Sequence, residues 1–145
     1  MSEVKRGRVF FDTNVVVYAQ DSTEPWKRDR AQKMICDALA DGTGVVSGQV
    51  LGEMYVTLVK KLRFDDERAA EEIRQLAQLR VVEISSALVL RAIQIKKECQ
   101  LSYWDALIIV SAEAASCETV WSEDLNDGQT YGGVTVRNPF VKMYA

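Results

Sequence analysis

Three features of the 145-residue sequence predict an α/β fold, a three-layer α/β/α sandwich around a mostly parallel sheet. Short apolar, β-branched runs alternate with longer segments of helical periodicity. No repeat, low-complexity tract or Pro/Ser/Gly-rich linker interrupts that alternation, so residues 1–145 are expected to form one domain. The 48% hydrophobic content is enough for a sizeable core in a chain of this length.

The elements follow in order. Residues 8–12 of "RVFFDTNVVVYA" read as a short, fully buried strand. Residues 24–40 read as a helix, with Pro25 in its first turn, a stripe of Ala31, Met34, Ile35, Ala38 and Leu39, and Gly42 and Gly44 ending it. "GVVS" (44–47) is a second strand, and Ser47 then caps a helix carrying Val50, Leu51, Met54, Tyr55, Leu58, Val59 and Leu62. A helix at about 65–78 leads to a third strand, "RVVEIS" (80–85). Helices over 86–99 and 103–116 precede a fourth strand at 118–122 and a fifth at 133–138.

Composition narrows the chemistry. The chain has no histidine, which excludes Ser-His-Asp and Cys-His catalysis and imidazole metal sites. Acid–base or metal chemistry therefore falls to carboxylates, Lys, Tyr or thiols. The net charge of −3 makes the molecule as a whole no polyanion binder, so nucleic acid would be met by local basic patches or bound cations. Three widely spaced cysteines without a CxxC suggest neither a zinc knuckle nor a disulfide framework, and fit a reducing cytoplasm. No apolar segment follows the basic "MSEVKRGR", so no signal peptide is expected. "DALIIVSAEAA" is too short to span a bilayer and carries Asp105 and Glu113.

Parallel sheets place ligands just outside the carboxyl ends of their strands. Asp12 follows the first strand, Glu53 lies in the helix after the second, Asp105 stands in the first turn of the 103–116 helix, and Asp124 follows the fourth strand with Glu123 and Asp127 beside it. If these acids converge, they cannot all stay ionised without a counter-charge, and a hard cation with a taste for oxygen, Mg²⁺ or Mn²⁺, would supply one. Each acid also has an ordinary structural reading. Asp12 could form an Asx-turn, and Asp124 could fill a polar loop. Glu53 lies off the apolar stripe, as a solvated residue would. Ser102-x-x-Asp105 matches a capping box, although the helix behind it is apolar on nearly every side.

"VFFDTNVVVYA", "VVSGQVLGEMYVTLVKKL", "LSYWDALIIVSAEAASCETVWSEDLNDG" and "GVTVRNPF", in this order and spacing, resemble the PIN-domain family of metal-dependent nucleases over almost the whole chain. The resemblance implies the three-layer fold, a shared acidic site for Mg²⁺ or Mn²⁺, and hydrolysis of phosphodiesters, usually in RNA. It extends to the VapC-like toxins of type II toxin–antitoxin systems, which implies a cognate antitoxin protein and a homodimer. By the same resemblance, Asp12, Glu53, Asp105 and Asp124 are the catalytic acids, with Asp12, Asp105 and Asp124 as metal ligands. Thr13, Asn14 and Ser122 support them, and Asp127 is the second candidate, after Asp124, for the last ligand. The expected chemistry is in-line attack on the phosphodiester by a water activated at the cation. Replacing Asp12 or Asp105 by Asn is expected to remove activity and leave the fold intact.

Three basic clusters could meet phosphate: Lys27, Arg28 and Arg30 beside Trp26; Lys60, Lys61 and Arg63; and Lys5, Arg6 and Arg8. Arg28 and Lys60 are named as nucleic-acid contacts, although helix charges opposite an apolar stripe usually form a solvated face. A haloacid-dehalogenase-like phosphatase would need a second Asp where Asn14 stands. A receiver-like domain would need an Asp ending the third strand, where the sequence has serines. The alternative of another class is a catalytically silent PIN-like module that binds RNA or protein, against which the complete acid set argues.

Overall fold

The computed structural model describes residues 7–141. Its six strands and six helices run β1 (Arg8–Phe11), α1 (Thr13–Tyr18), α2 (Pro25–Asp41), β2 (Gly44–Ser47), α3 (Gly48–Lys60), α4 (Asp66–Leu76), β3 (Arg80–Val82), α5 (Ser86–Cys99), α6 (Tyr103–Ala114), β4 (Cys117–Trp121), β5 (Thr130–Tyr131) and β6 (Val134–Arg137). They form one sheet in the order β3-β2-β1-β4-β6-β5. All its pairings are parallel except β5 with β6. The mixed α/β fold with a mostly parallel sheet is thus the one the sequence predicts. No described helix is long and apolar enough to cross a membrane.

Helices cover both faces because the central strands are apolar on both. Val9, Phe11, Thr119 and Trp121 look toward α2 across a shared cleft. Alternation along the strands turns Phe10, Val120 and Val136, all fully buried, the other way. Helix α6 packs on β2, β4 and β6 and is buried at every position from Ala106 to Ala112. That accounts for its uniformly apolar sequence.

Local chemistry sets the joints. Ser47, buried at the end of β2, accepts from Val50 N and caps α3. Gly42 closes α2 at φ 70°, a left-handed conformation that favours glycine. Two elements go beyond the sequence expectation. Asn14-Val15-Val16-Val17 is helical in α1 although valine favours strands, because Val15 and Val16 are buried there. Strand β5 is a two-residue hairpin arm closed by Gly132-Gly133, with Thr130 opposite Thr135 and Tyr131 opposite Val134. The last residue expected in β1, Asp12, instead caps α1.

One consequence decides where a site can be. From β1 the chain builds outward to β2 and β3, then returns to lay β4 on the other side of β1. The strand order therefore reverses between β1 and β4. In open parallel sheets a crevice opens at such a switch point, at the carboxyl ends of the strands. Asp12 follows β1 there and Ser122 follows β4.

Candidate active site

Asp12 is held from two strands at once. Its backbone N–H donates to Trp121 O at 3.0 Å, which stitches the end of β1 to β4. Its Oδ1 accepts from Thr13 N at 2.7 Å. Its Oδ2 accepts from Ser122 Oγ at 2.8 Å and from Asn14 Nδ2 at 3.3 Å. Ser122 is fully buried, and its hydroxyl oxygen also accepts from Asp124 N and Leu125 N at 3.2 and 3.3 Å, so it shapes the turn that carries Asp124.

Asn14 is the hub. Its Nδ2 reaches Asp12 Oδ2, Ser122 Oγ at 3.3 Å and Asp124 Oδ2 at 3.2 Å. Its Oδ1 accepts from Glu123 N at 3.0 Å, which fixes which way round the amide stands. Packing of α1 against α3 adds Glu53, whose Oε1 accepts from Thr13 Oγ1 at 3.0 Å. The fold thus gathers Asp12, Thr13, Asn14, Glu53, Ser122 and Asp124, six of the residues the sequence nominates, into one hydrogen-bonded cluster.

Asp105 and Asp127 stand apart from that network. Asp105 occupies the first turn of α6, where Ser102 Oγ accepts from Asp105 N at 3.1 Å. Only this half of the capping box is formed. Among the described residues no hydrogen bond or ion pair engages the Asp105 carboxylate. Asp127 Oδ1 accepts from Asn138 N at 2.8 Å, tying the β4–β5 turn to the end of β6. Glu123, the third acid of that turn, accepts from Lys27 and Tyr18 on the far side of the turn. Asp124 is therefore the acid of the three that meets the Asn14 hub.

Burial and like charge act together on Asp12. Its carboxyl is pushed up to about 6, first by burial and then by the charges of Asp124 and Glu53, against the opposing hydrogen bonds from Ser122 and Thr13 N. A cation against this carboxylate would relieve both penalties. The donor set is all oxygen, which suits Mg²⁺ or Mn²⁺. No three His, Cys, Asp or Glu side chains among the described residues stand close enough together to cage a metal. Mg²⁺ can be held by one or two carboxylates, with waters and substrate oxygens for the rest. Asp12 and Asp124, bridged by Asn14, are such a pair.

The basic residues divide. Lys27 pairs with Glu123 at 2.6 Å, and Arg30 Nε donates to Pro139 O at 3.2 Å, so both are used inside the fold. The Arg28 side chain pairs with its neighbour Asp29 at 3.2 Å, and Lys60 is exposed at the end of α3. Lys5 and Arg6 lie outside the described residues. Tyr18 is a contributor that sequence reasoning missed, and Lys27, read from the sequence as part of a basic cluster that could meet phosphate, is instead paired with Glu123 by the packing of α2 beside the β4–β5 turn.

The PIN-domain profile matches residues 9–127, which takes in Asp12, Asn14, Ser122 and Asp124. The chain belongs to the PIN-domain family. Among the solved structures that share the fold are three from toxin–antitoxin systems. The VapC20 toxin of Mycobacterium tuberculosis, described as cleaving the sarcin–ricin loop, aligns at TM-score 0.61 and 18% identity over 80% of this chain and 89% of its own. A toxin–antitoxin complex from Klebsiella pneumoniae aligns at 0.64 and 21% identity over 91% and 98%. VapBC2 from Rickettsia felis, bound to a DNA fragment from its promoter, aligns at 0.67 and 18% identity over 90% and 97%. No curated protein sequence matches the chain.

Proposed function

We propose that this PIN-domain protein is a divalent-metal-dependent ribonuclease, the toxin of a toxin–antitoxin pair. The observation that carries the reading is the Asp12–Asn14–Asp124 bridge at the β1–β4 switch point, with Asp12 buried and its proton affinity raised. Fold likeness to VapC toxins and to toxin–antitoxin complexes supports the antitoxin partner.

In this reading Asp12 and Asp124 hold Mg²⁺ or Mn²⁺, and Asp105 approaches from the start of α6. When bound, the cation would lower the pKa of a water and stabilise charge on the phosphoryl oxygens. The rest is done by the chain. Thr13 N and the Ser122 hydroxyl hold the two Asp12 oxygens in a fixed plane. Asn14 sets the spacing to Asp124, and the Thr13 hydroxyl keeps a Glu53 oxygen turned toward the cluster. Arg28 and Lys60 would meet the RNA backbone. The three widely spaced cysteines without a CxxC suggest a cytoplasmic protein. Leu90 and Trp104, 68% and 61% exposed on α5 and α6, offer apolar surface for a homodimer, which light scattering would detect.

The test is cleavage of a panel of labelled RNAs with Mg²⁺ or Mn²⁺, with EDTA, and with Asp12→Asn protein. Cutting that needs the metal and vanishes in the variant is the expected result. RNA binding without cutting under every condition would replace this reading by the silent binding module.

A further inference from the structure

A second cluster lies behind the Asp124 turn, built by α1, α2 and the segment after β6. Lys27 Nζ donates to Glu123 Oε2 at 2.6 Å and to Tyr18 OH at 3.3 Å. Tyr18 OH donates to the other oxygen, Glu123 Oε1, at 2.8 Å. The ammonium also stands 4.6 Å from the Tyr18 ring centroid and 5.5 Å from that of Phe140. Those two rings meet edge to face at 5.0 Å. The side chains of Lys27 and Glu123 are 27% and 25% exposed, so the pair is largely shielded from solvent. Glu123 holds the Lys27 ammonium above its usual range, and burial followed by Glu123 does the same for the Tyr18 phenol.

Both carboxylate oxygens of Glu123 are thereby occupied, and the residue is pinned on the far side of the turn from Asp12. Its backbone N–H is the donor that orients the Asn14 amide. Were this N–H to turn away, Asn14 Oδ1 would lose its donor, and the amide would be held along its Nδ2 edge alone, free to tilt against Asp12 Oδ2 and Asp124 Oδ2. Lys27 and Tyr18 therefore act at one remove on the spacing of the two acids.

We propose that Lys27 and Tyr18 are positioning residues: by clamping Glu123 they orient Asn14, and so hold Asp12 and Asp124 at the separation that admits a divalent cation. The effect on cleavage rests on the nuclease reading above, whereas the effect on Asn14 does not.

The test uses the ¹⁵N-labelled 145-residue chain in EDTA, with the Asn14 side-chain amide pair assigned through its loss in Asn14→Asp. Lys27→Met keeps the stem and removes the charge, Tyr18→Phe removes one hydroxyl, and Lys27→Arg restores the charge. In Lys27→Met and Tyr18→Phe the Asn14 pair should shift or broaden. Calorimetric titration with Mn²⁺ alone should show affinity about tenfold weaker, a common loss when a group orienting a ligand is removed. In Lys27→Arg both readouts should return toward wild type, and kcat should fall in the two disruptive variants with KM unchanged. Unmoved Asn14 resonances and unchanged Mn²⁺ affinity in Tyr18→Phe, which alters least and so decides the matter even if Lys27→Met misfolds, would overturn the proposal. Wild-type protein that binds Mn²⁺ but cuts no RNA, with the Asn14 response present in the two variants, would remove the nuclease reading and leave the positioning role standing.

Discussion

Two acids open helices at the carboxyl edge of the same sheet, and they are built in opposite ways. Asp12 caps α1, is buried, and has both carboxylate oxygens engaged by residues from α1 and the turn after β4. Asp105 stands in the first turn of α6, where Ser102 supplies the cap and the carboxylate is left unengaged. The difference is one of preorganisation. Asp12 carries the electrostatic cost of its position in the folded chain itself, as a raised pKa. Asp105, half-buried, does not depend on the cluster for its place. A site built this way has one fixed corner and one corner that a ligand can recruit.

The largest effect that could break the comparison lies at Asp12. Its carboxyl holds a proton more tightly in the folded chain, at about 6, than the ordinary value of 3.8. Protonation therefore favours the folded state between those values. Metal-free stability should fall as pH rises from about 4 through about 6, and above that stay lower by about 3 kcal/mol. Asp12→Asn has no such carboxyl. Measured by urea unfolding in EDTA, it should gain on wild type by roughly that amount between pH 4 and pH 8, while losing RNA cleavage by about a hundredfold or more. Parallel stability profiles for the two proteins would show that Asp12 bears no such cost.

Ser122 sharpens the same corner. Its hydroxyl is fully buried, donates to Asp12 Oδ2 and accepts two backbone N–H groups of the Asp124 turn. Ser122→Ala leaves those groups unsatisfied and should cost about 2 kcal/mol of stability, read from the urea midpoint. Removing a hydrogen bond that lowers the Asp12 pKa should also move that titration upward. A neutral effect would mean that the turn keeps its shape without the hydroxyl.

At the other corner the structural cost should be close to nil. Asp105→Asn keeps Ser102 as the cap and disturbs no packed contact, so its melting temperature should match wild type. Cleavage should still be lost, by about a hundredfold or more, if a ligand recruits this carboxylate. Undiminished cleavage would reduce Asp105 to a helix-terminal acid and leave the Asp12–Asp124 pair to act with Glu53.

Fold class and most strands were legible because a parallel sheet buries short apolar runs on both faces, and "VFF", "VVS" and "TVW" have no other good place. α1 was not legible, since three successive valines argue for a strand until burial of Val15 and Val16 against neighbouring helices overrides them. Asp12, Glu53 and Asp124 could be nominated from their places after strands, and Asn14 from the resemblance to the PIN-domain family, but their connection could not. The Asn14 amide spans 110 residues to meet Asp124. The separate fates of Glu123, Asp124 and Asp127 were equally hidden. Three acids in one polar turn look alike until the fold aims one at Lys27, one at Asn14 and one at Asn138.

The smallest effects belong to the basic residues, where the comparison extends from metal to RNA. Lys27 and Arg30, at first sight part of a phosphate-binding helix, are committed to Glu123 and Pro139. Arg28 and Lys60 retain more freedom: the Arg28 partner Asp29 is itself 69% exposed, and Lys60 is exposed, about 10 Å along α3 from Glu53 at the helical rise per residue. If RNA crosses the Asp12 corner and continues along α3, each should contribute one screened phosphate contact. Arg28→Ala and Lys60→Ala should each weaken RNA binding only a few-fold, about 1 kcal/mol or less. Each should also lower the slope of log K against log salt by about 1, equally for different RNA sequences. Fluorescence anisotropy across a salt series measures both quantities. A slope unchanged in Lys60→Ala but reduced in Arg28→Ala would route the strand over α2 instead. The fixed corner would then be approached from the side of the Lys27–Glu123 clamp, because Arg28 follows Lys27 directly in the first turns of that helix.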